Sequence, residues 1–233
     1  MDRQMFNIDS SNEKRVMSAL DTIADPNTSF NTYRQMFVVL GEELGKVINH
    51  YFPKTGNTMI ACPNEDADWL VNGIISLLGS KNVSLSVYWS DRVTVGNVDG
   101  KKLEISPIIS SYEEPCEGCE TLIVAKSIIS TSCVVRTQLT HLIEKITPKR
   151  IIIAAPVMYK DAEPNLLKEF PTEISSKFHF ICFAVDSKRE GSTVIPGIGG
   201  FITKRLGLGD TLKDNNKYIP ELVKERALQM VLA

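Results

Sequence analysis

The sequence predicts an α/β fold in which a mostly parallel sheet is flanked by helices. Three short segments, Thr58–Cys62, Thr121–Ala125 and Arg150–Ala155, are almost wholly apolar, which is typical of strands buried on both faces of a sheet. Helical patterns of about 10–20 residues separate the strands, as in βαβ units. Apolar residues make up 43% of the 233-residue chain, enough for a sizeable core. We therefore expect one domain over residues 1–233.

The remaining elements are predicted from apolar spacing and from residues that begin or end helices and strands. In chain order they are a polar arm over 1–28, a helix from Ser29 or Asn31 to Tyr51, a helix from Asn64 to Gly79, a strand at Val83–Trp89, a flap hairpin over 93–105, a helix that includes Leu139–Ile146, a strand at Phe178–Val185 and a helical tail over 210–233. The hairpin is predicted from two short β-rich runs on either side of a glycine-containing turn.

Charge and cysteine content argue against several classes of protein. A net charge of −2 and a pI of about 6.0 give no field of one sign, so bulk binding to nucleic acid is not expected. No apolar run reaches the ~18 residues of a membrane helix, and the polar N-terminus lacks a signal core, so we expect a cytoplasmic protein without a membrane partner. Cys116 and Cys119 form a lone C-x-x-C motif. Because a zinc site needs about four ligands, a reactive or ordinary loop pair is the better interpretation.

The first candidate binding segment follows the strand Thr121–Ala125, and ligands of open parallel sheets bind beyond the carboxyl ends of the strands. Its residues are Lys126, Ser130, Thr131, Ser132 and Cys133. Hydroxyl groups and free backbone N–H groups at a helix N-terminus bind phosphate well, and a lysine adds positive charge. The alternative is that the hydroxyls only cap the helix.

The second candidate follows the strand Thr58–Cys62, where Glu65, Asp66 and Asp68 crowd the start of a helix. Acidic residues in a first turn suit the helix dipole, and this alone explains them. The functional alternative is a site for a metal or a cationic substrate, with Asp66 and Asp68 as candidate catalytic groups. The sequence requires no cofactor and defines no metal site, and Mg²⁺ is the one cofactor that these acids suggest.

The third candidate is the glycine-rich loop Val194–Phe201, which also follows a predicted strand. Glycines let a backbone approach a flat ligand closely, and this makes Ile195, Gly197 and Gly199 candidate ligand contacts. Glycine loops are also common turns, so the motif is weak on its own.

Taken in chain order, these segments resemble the uracil phosphoribosyltransferases. The matching segments are Leu20–Thr28, Tyr88–Arg92 with the hairpin after it, Leu122–Cys133, Ile151–Pro156, Ile195–Gly199 and Leu206–Gly207. The resemblance implies a type I phosphoribosyltransferase-like fold, a phosphoribosyl pyrophosphate (PRPP) loop at Ser130–Cys133 and base binding at Ile195, Gly197 and Gly199. It also implies a homodimer or other homo-oligomer, with contacts from the hairpin or the N-terminal segment.

The departures from the family pattern fall on the ribose-phosphate site. The acidic residue that opens the family's PRPP loop is replaced by Ala125, and the glycines of that loop are replaced by Thr131 and Ser132. The family's pyrophosphate-binding arginine aligns with Asp66. At ~4 Å and an effective dielectric near 20, this exchange turns an attraction of about 4 kcal/mol into a repulsion of similar size. Both aspartates of the uracil loop are absent from Gly199–Thr203.

Three functions follow as hypotheses. The first is a diverged family member, a sensor or assembly partner, that binds a nucleobase or nucleotide. It has little or no PRPP-dependent transferase activity, because that chemistry depends on the lost electrostatic groups. The second is an active glycosyl or phosphoribosyl transferase, or a nucleoside hydrolase, that uses Glu65, Asp66 and Asp68. The third is a structural interaction protein whose pocket is filled by Phe201 and Trp69.

Overall fold

A computed structural model of the chain describes residues 2–78, 82–98, 101–191 and 193–232, and at positions 98 and 101–104 it describes the backbone alone. The strands are β1 (Arg3–Met5), β2 (Thr58–Pro63), β3 (Val83–Ser90), β4 (Val93–Val98), β5 (Lys101–Ile105), β6 (Ile108–Glu113), β7 (Thr121–Ala125), β8 (Ile128–Ile129), β9 (Arg150–Ala154), β10 (Val157–Tyr159), β11 (Phe178–Ile181), β12 (Ala184–Asp186), β13 (Lys188–Glu190) and β14 (Thr193–Ile195). The helices are α1 (Glu13–Ala24), α2 (Phe30–Tyr51), α3 (Asn64–Asp66), a π-helical turn (Ala67–Val71), α4 (Asn72–Leu78), α5 (Cys133–Ile143), α6 (Ala162–Lys168), α7 (Thr172–Ser175), α8 (Ile202–Arg205), α9 (Leu212–Asn215) and α10 (Glu221–Leu232).

The main sheet has six strands in the order β11-β9-β7-β2-β3-β6, and every neighbouring pair is parallel except β3 and β6. All residues of β2 and β7 are buried. Because side chains alternate along a strand, Ile60 packs in the core beneath α1 and α2, whereas Met59 and Ala61 pack in the core beneath α5. The predicted α/β fold class, a mostly parallel sheet with flanking helices, is confirmed.

A second, four-stranded sheet lies beyond the carboxyl ends of three main strands. The strands β7, β9 and β11 continue after short breaks into β8, β10 and β12, and β1 joins β12 on the outer edge. The predicted single strand Phe178–Val185 is therefore wrong in its extent, since it is broken between Ile181 and Ala184. The cause is Pro156, which donates no N–H and whose carbonyl accepts from Phe183 N at 3.1 Å and Ala184 N at 3.0 Å.

The outer parts of the chain agree with the sequence in some places and differ in others. Ser29 is the residue that caps α2, since its hydroxyl accepts from Thr32 N at 3.3 Å. The hairpin β4–β5 forms, and its turn at 99–100 and the predicted helix end at Gly79 lie outside the described residues. The arm over 1–28 holds β1 and α1. In the arm, β1 pairs with β12 of the same chain and forms the edge of the second sheet.

Within the described ranges, no helix has both the length and the apolar character that crossing a membrane requires.

Candidate functional site

A cavity of about 280 Å³ opens at the carboxyl end of the main sheet. The chain passes from β2 to β3 on one side and then returns to β7 on the other, so the topological switch point lies between β2 and β7. Glu65 follows β2, Lys126 follows β7 and Ser90 ends β3, and all three line the cavity. This is the place at which open α/β sheets bind ligands.

The predicted phosphate segment borders the cavity with three of its five residues. Lys126, Ser130 and Thr131 line it. Ser132 is the N-cap of α5, yet its side chain makes no capping bond and instead donates to Glu169 Oε1 at 2.6 Å. Cys133 is buried and begins α5. The capping alternative therefore fails at Ser132. The Thr131 hydroxyl is buried and has no hydrogen-bond partner.

Lys126 joins the phosphate segment to two of the predicted acids. Its Nζ lies 3.5 Å from Glu65 Oε1 and 3.9 Å from Asp66 Oδ2. The backbone N–H of Ser127 donates to Asp66 Oδ2 at 3.1 Å. Among the described residues, Glu65 is the only carboxylate that lines the cavity, whereas Asp66 is 2% exposed and lies behind the lining. The two acids thus have different access to a ligand.

The buried position of Asp66 changes its titration. Burial is the main cause that raises the pKa of Asp66 to about 7. The Lys126 ammonium group and the Ser127 N–H favour the charged form and oppose this rise, while the Glu65 carboxylate adds to it. Asp66 therefore exchanges a proton near neutral pH.

Asp68 does not join the other two acids, as the alternative of one functional site that uses all three carboxylates would require. Its carboxylate accepts from Glu221 N at 2.9 Å, from Leu222 N at 2.8 Å and from the Tyr218 hydroxyl. The π-helical turn that contains Asp68 directs it toward the start of α10 instead of the cavity. In the described ranges, no three His, Cys, Asp or Glu residues form a group that could hold a metal ion. The Lys126 charge beside Glu65 and Asp66 also opposes a dication, so these residues do not fit Mg²⁺.

The predicted base-binding residues are used by the fold itself. Gly197 N donates to Asp186 Oδ2 at 2.8 Å, and Gly197 O accepts from Arg3 at 3.0 Å. Gly199 has a positive φ of 74°, and a Cβ there would clash with the carbonyl of Ile23. These glycines are needed for close backbone packing. The neighbours Val194, Ile198 and Gly200 line the cavity, whereas Ile195, Gly197 and Gly199 are not among its lining residues.

The aromatic residues expected to fill the pocket do not do so. Trp69 lies in a separate depression, where its ring stacks on Tyr218 with centroids 5.9 Å apart and Arg34 lies 5.0 Å above it. Phe201 lines the cavity and is 44% exposed, and the cavity remains open beside it. The hypothesis of a filled pocket is therefore wrong for Trp69, and Phe201 leaves room for a ligand.

Two residues that line the cavity, Thr203 and Asn215, were not identified as candidates from the sequence. Thr203 is fully buried with its hydroxyl unpaired, and it stands in the segment where the resemblance showed only missing aspartates. Asn215 Nδ2 donates to Glu65 Oε2 at 3.0 Å and to Asn64 Oδ1 at 3.1 Å, while its Oδ1 is buried without a partner. No local signal marks Asn215, because the short helix α9 reaches the cavity only through the tertiary fold.

The C-x-x-C pair lies away from this cavity, and both thiols are free. Burial, with Cys116 beside it, raises the pKa of Cys119 to about 12. Because the thiolate is the reactive form, Cys119 is poorly reactive at neutral pH, which favours the ordinary loop pair.

No protein-family model matches this chain, and no curated protein matches its sequence. Among solved structures, the chain is similar to the AQ2163 protein from Aquifex aeolicus, with a TM-score of 0.65 and 12% identity over 83% of this chain and 94% of that one. It is also similar to TT1426 from Thermus thermophilus, with a TM-score of 0.47 and 10% identity over 81% of this chain and 96% of that one. Purine phosphoribosyltransferase from Pyrococcus horikoshii gives a TM-score of 0.36 and 14% identity over 54% and 74%. Of these three likenesses, only that to AQ2163 exceeds a TM-score of 0.5, and at 12% identity it shows a shared fold alone.

Proposed function

We propose that the chain binds a nucleotide in the cavity between β2 and β7 and does not transfer ribose phosphate from PRPP. The observation that carries the proposal is that Thr131, Thr203 and Asn215 line this cavity and that each holds a buried side-chain oxygen without a partner. A buried polar group left unpaired costs about 1–3 kcal/mol. A ligand with several polar groups would recover part of that cost, whereas an apolar ligand would not.

The phosphate end of the ligand is proposed to lie at the start of α5. Ser130, Thr131 and Val134 line the cavity on either side of this start, and α5 has 11 residues, long enough for a helix dipole. Backbone N–H groups and hydroxyls at such a helix start suit a phosphate monoester. The resemblance to uracil phosphoribosyltransferases, which places their PRPP loop here, supports the same assignment.

A pyrophosphate is disfavoured by the charges on the opposite wall. Glu65 lines the cavity, Asp66 lies behind it, and Lys126 is held beside both carboxylates. The Lys126 charge is therefore already offset before a ligand enters, which leaves Arg92 as the other basic residue of the described ranges that lines the cavity. Since phosphoribosyl transfer needs electrostatic stabilisation of the leaving pyrophosphate, the site suits binding of a monophosphate better than PRPP chemistry.

An enzymatic role of the acids is the second candidate, and the raised pKa of Asp66 favours it, because a carboxyl that titrates near neutral pH can act as a general acid or base. Asp66 does not line the cavity, so Glu65 would be the group that contacts substrate. Release of free base from a bound nucleotide would support this candidate.

The test is calorimetric titration of the chain with UMP, CMP, AMP and IMP, with the matching nucleosides, and with PRPP plus magnesium. We expect micromolar binding of at least one nucleotide. The Thr131→Val variant removes one hydroxyl and should weaken that nucleotide about tenfold, as expected for a hydrogen bond to a charged group. Thr137→Val is the matched control, since Thr137 lies on the same helix, donates to Cys133 O and does not line the cavity.

Three outcomes count against the proposal. Equal affinity for a nucleotide and its nucleoside would show that the phosphate is not bound at the start of α5. Failure of every ligand at millimolar concentration would show that the cavity is not a nucleotide site. Formation of UMP from uracil and PRPP would make the chain a working transferase.

A further inference from the structure

The wall of the cavity formed by Glu65 and Asn215 presents hydrogen-bond acceptors. The orientation of the Asn215 amide follows from its neighbours, because its Nδ2 lies 3.0 Å from a Glu65 oxygen and 3.1 Å from Asn64 Oδ1. Asn64 is itself oriented by donating to the carbonyls of Asn215 at 2.8 Å and Tyr218 at 3.3 Å. A carboxylate only accepts, so the Asn215 donor must face Glu65. Its Oδ1 is then left as a buried acceptor without a partner in a residue that is 2% exposed.

Glu65 adds a second acceptor with unused capacity. Its carboxylate receives Asn215 Nδ2 on Oε2 and lies 3.5 Å from Lys126 Nζ on Oε1. An ionised carboxylate has about four lone-pair sites, so these two contacts leave room for a donor from the ligand. Lys126 also lines the cavity, but its ammonium group is held between Glu65 and Asp66. A ligand carbonyl placed against Glu65 Oε2 and Asn215 Oδ1 would therefore meet oxygen atoms.

We infer that the cavity selects nucleotides whose base carries an exocyclic amino group over those that carry a carbonyl in its place. The inference rests on the proposed function and names the ligand class for the same cavity. An amino group donates hydrogen bonds to Glu65 and Asn215, whereas a carbonyl offers none and is repelled by the carboxylate. The wall thus favours cytosine and adenine nucleotides and disfavours the uracil nucleotide that the sequence resemblance suggests.

Two matched pairs test the inference on the full chain, CMP against UMP and AMP against IMP. In each pair an exocyclic amino group is exchanged for a carbonyl, and the adjacent ring nitrogen changes from an acceptor to an N–H donor. We expect the amino member of at least one pair to bind at least tenfold more tightly, because a polar site discriminates strongly against a ligand that leaves it unpaired. In the Glu65→Gln variant, the glutamine amide can rotate and donate to a carbonyl. The preference for the amino member of each pair should therefore fall below about threefold. Glu117→Gln, a change at an exposed acid on the loop before β7, should keep the preference.

The outcomes separate this inference from the function on which it rests. Nucleotides that bind with equal affinity within both pairs, or that favour the carbonyl member, overturn the inference and leave the nucleotide site in place. A preference that persists in Glu65→Gln overturns its assignment to this wall. If no nucleotide binds, the proposed function and the inference both fail. Circular dichroism melting checks that Glu65→Gln is folded, and if it is not, the two wild-type pairs decide alone.

Discussion

Three acidic residues that are close in sequence occupy three different environments. Glu65 lines the cavity, Asp66 is buried behind it beside Lys126, and Asp68 binds the start of α10. The sequence places them together at the start of one helix, and it predicts correctly that this start lies at the carboxyl end of a buried strand. It cannot show the π-helical turn over Ala67–Val71, which changes the direction of the third side chain.

Asp66 should make the stability of the fold depend on pH. An aspartate in the unfolded chain titrates near 3.9, whereas burial raises the pKa of Asp66 to about 7 in the fold. The folded chain therefore holds this proton more tightly. The contribution of this proton to the free energy of unfolding is fully present below about pH 4 and is lost as pH rises to about 7. Asp66→Asn removes this titration, so the variant should gain about 3 kcal/mol relative to wild type between pH 5 and pH 8.

Urea unfolding at pH 5 and pH 8 measures this difference. Asp210→Asn is the control, since the Asp210 side chain is 79% exposed and its exchange should shift wild-type stability equally at both pH values. A difference between Asp66→Asn and wild type that is the same at pH 5 and pH 8 would show that Asp66 stays charged in the fold.

At the scale of elements, Asp68 joins the segment after α3 to the start of α10. It accepts two backbone N–H groups there, from Glu221 and Leu222, as an N-capping residue does. Asp68→Ala leaves both groups and the Tyr218 hydroxyl without this acceptor, and we expect a loss of about 1–2 kcal/mol in the free energy of unfolding. Urea unfolding measures the loss, and Asp91→Ala, a change at an acid in the loop after β3, is the control. The nucleotide affinity of Asp68→Ala should differ from that of wild type by less than twofold. A tenfold loss of affinity in a folded variant would show that Asp68 contributes to nucleotide binding.

The elements that the sequence predicts well are those with strong local signals. The strands β2, β7 and β9 are short apolar runs, and α2 combines helical spacing with a capping serine. The second sheet was not predicted, because β8 and β10 have only two and three residues and form only where neighbouring chain is already in place. The edge strand β6 was missed because its residues are largely exposed.

At the scale of the whole molecule, the residues that line the candidate cavity were predicted in part. Lys126, Ser130 and Thr131 line the cavity as their position after β7 indicates. Gly197 and Gly199 instead allow close backbone packing, Ile195 is not among the lining residues, and Asn215 reaches the cavity from the distant helix α9. Position relative to the sheet is therefore available from sequence pattern, whereas the partners of individual side chains depend on contacts between distant parts of the chain. Among the side-chain hydrogen bonds of the described residues, the largest separation in sequence is that between Arg3 in the N-terminal strand and Gly197 in the glycine loop.

An ion pair joins Arg3 in the first strand to Asp186 in β12, and the same arginine also reaches the glycine loop. Arg3 Nε and Nη2 donate to the two Asp186 oxygens at 2.6 and 2.7 Å, and the same Arg3 Nη2 reaches Gly197 O. The Asp186 side chain is fully buried, so Arg3→Ala leaves an uncompensated charge, and we expect a loss of about 3–5 kcal/mol in the free energy of unfolding. Lys188→Ala is the control, because it breaks an exposed pair with Asp2 on the same edge and should cost less than about 1 kcal/mol. Urea unfolding compares the two variants. Equal losses of stability in the two variants would mean that the buried Arg3–Asp186 pair stabilises the fold no more than the exposed pair does. If the double variant Arg3→Ala/Asp186→Leu regains the stability that Arg3→Ala loses, the unpaired buried charge of Asp186 is the cause of the loss.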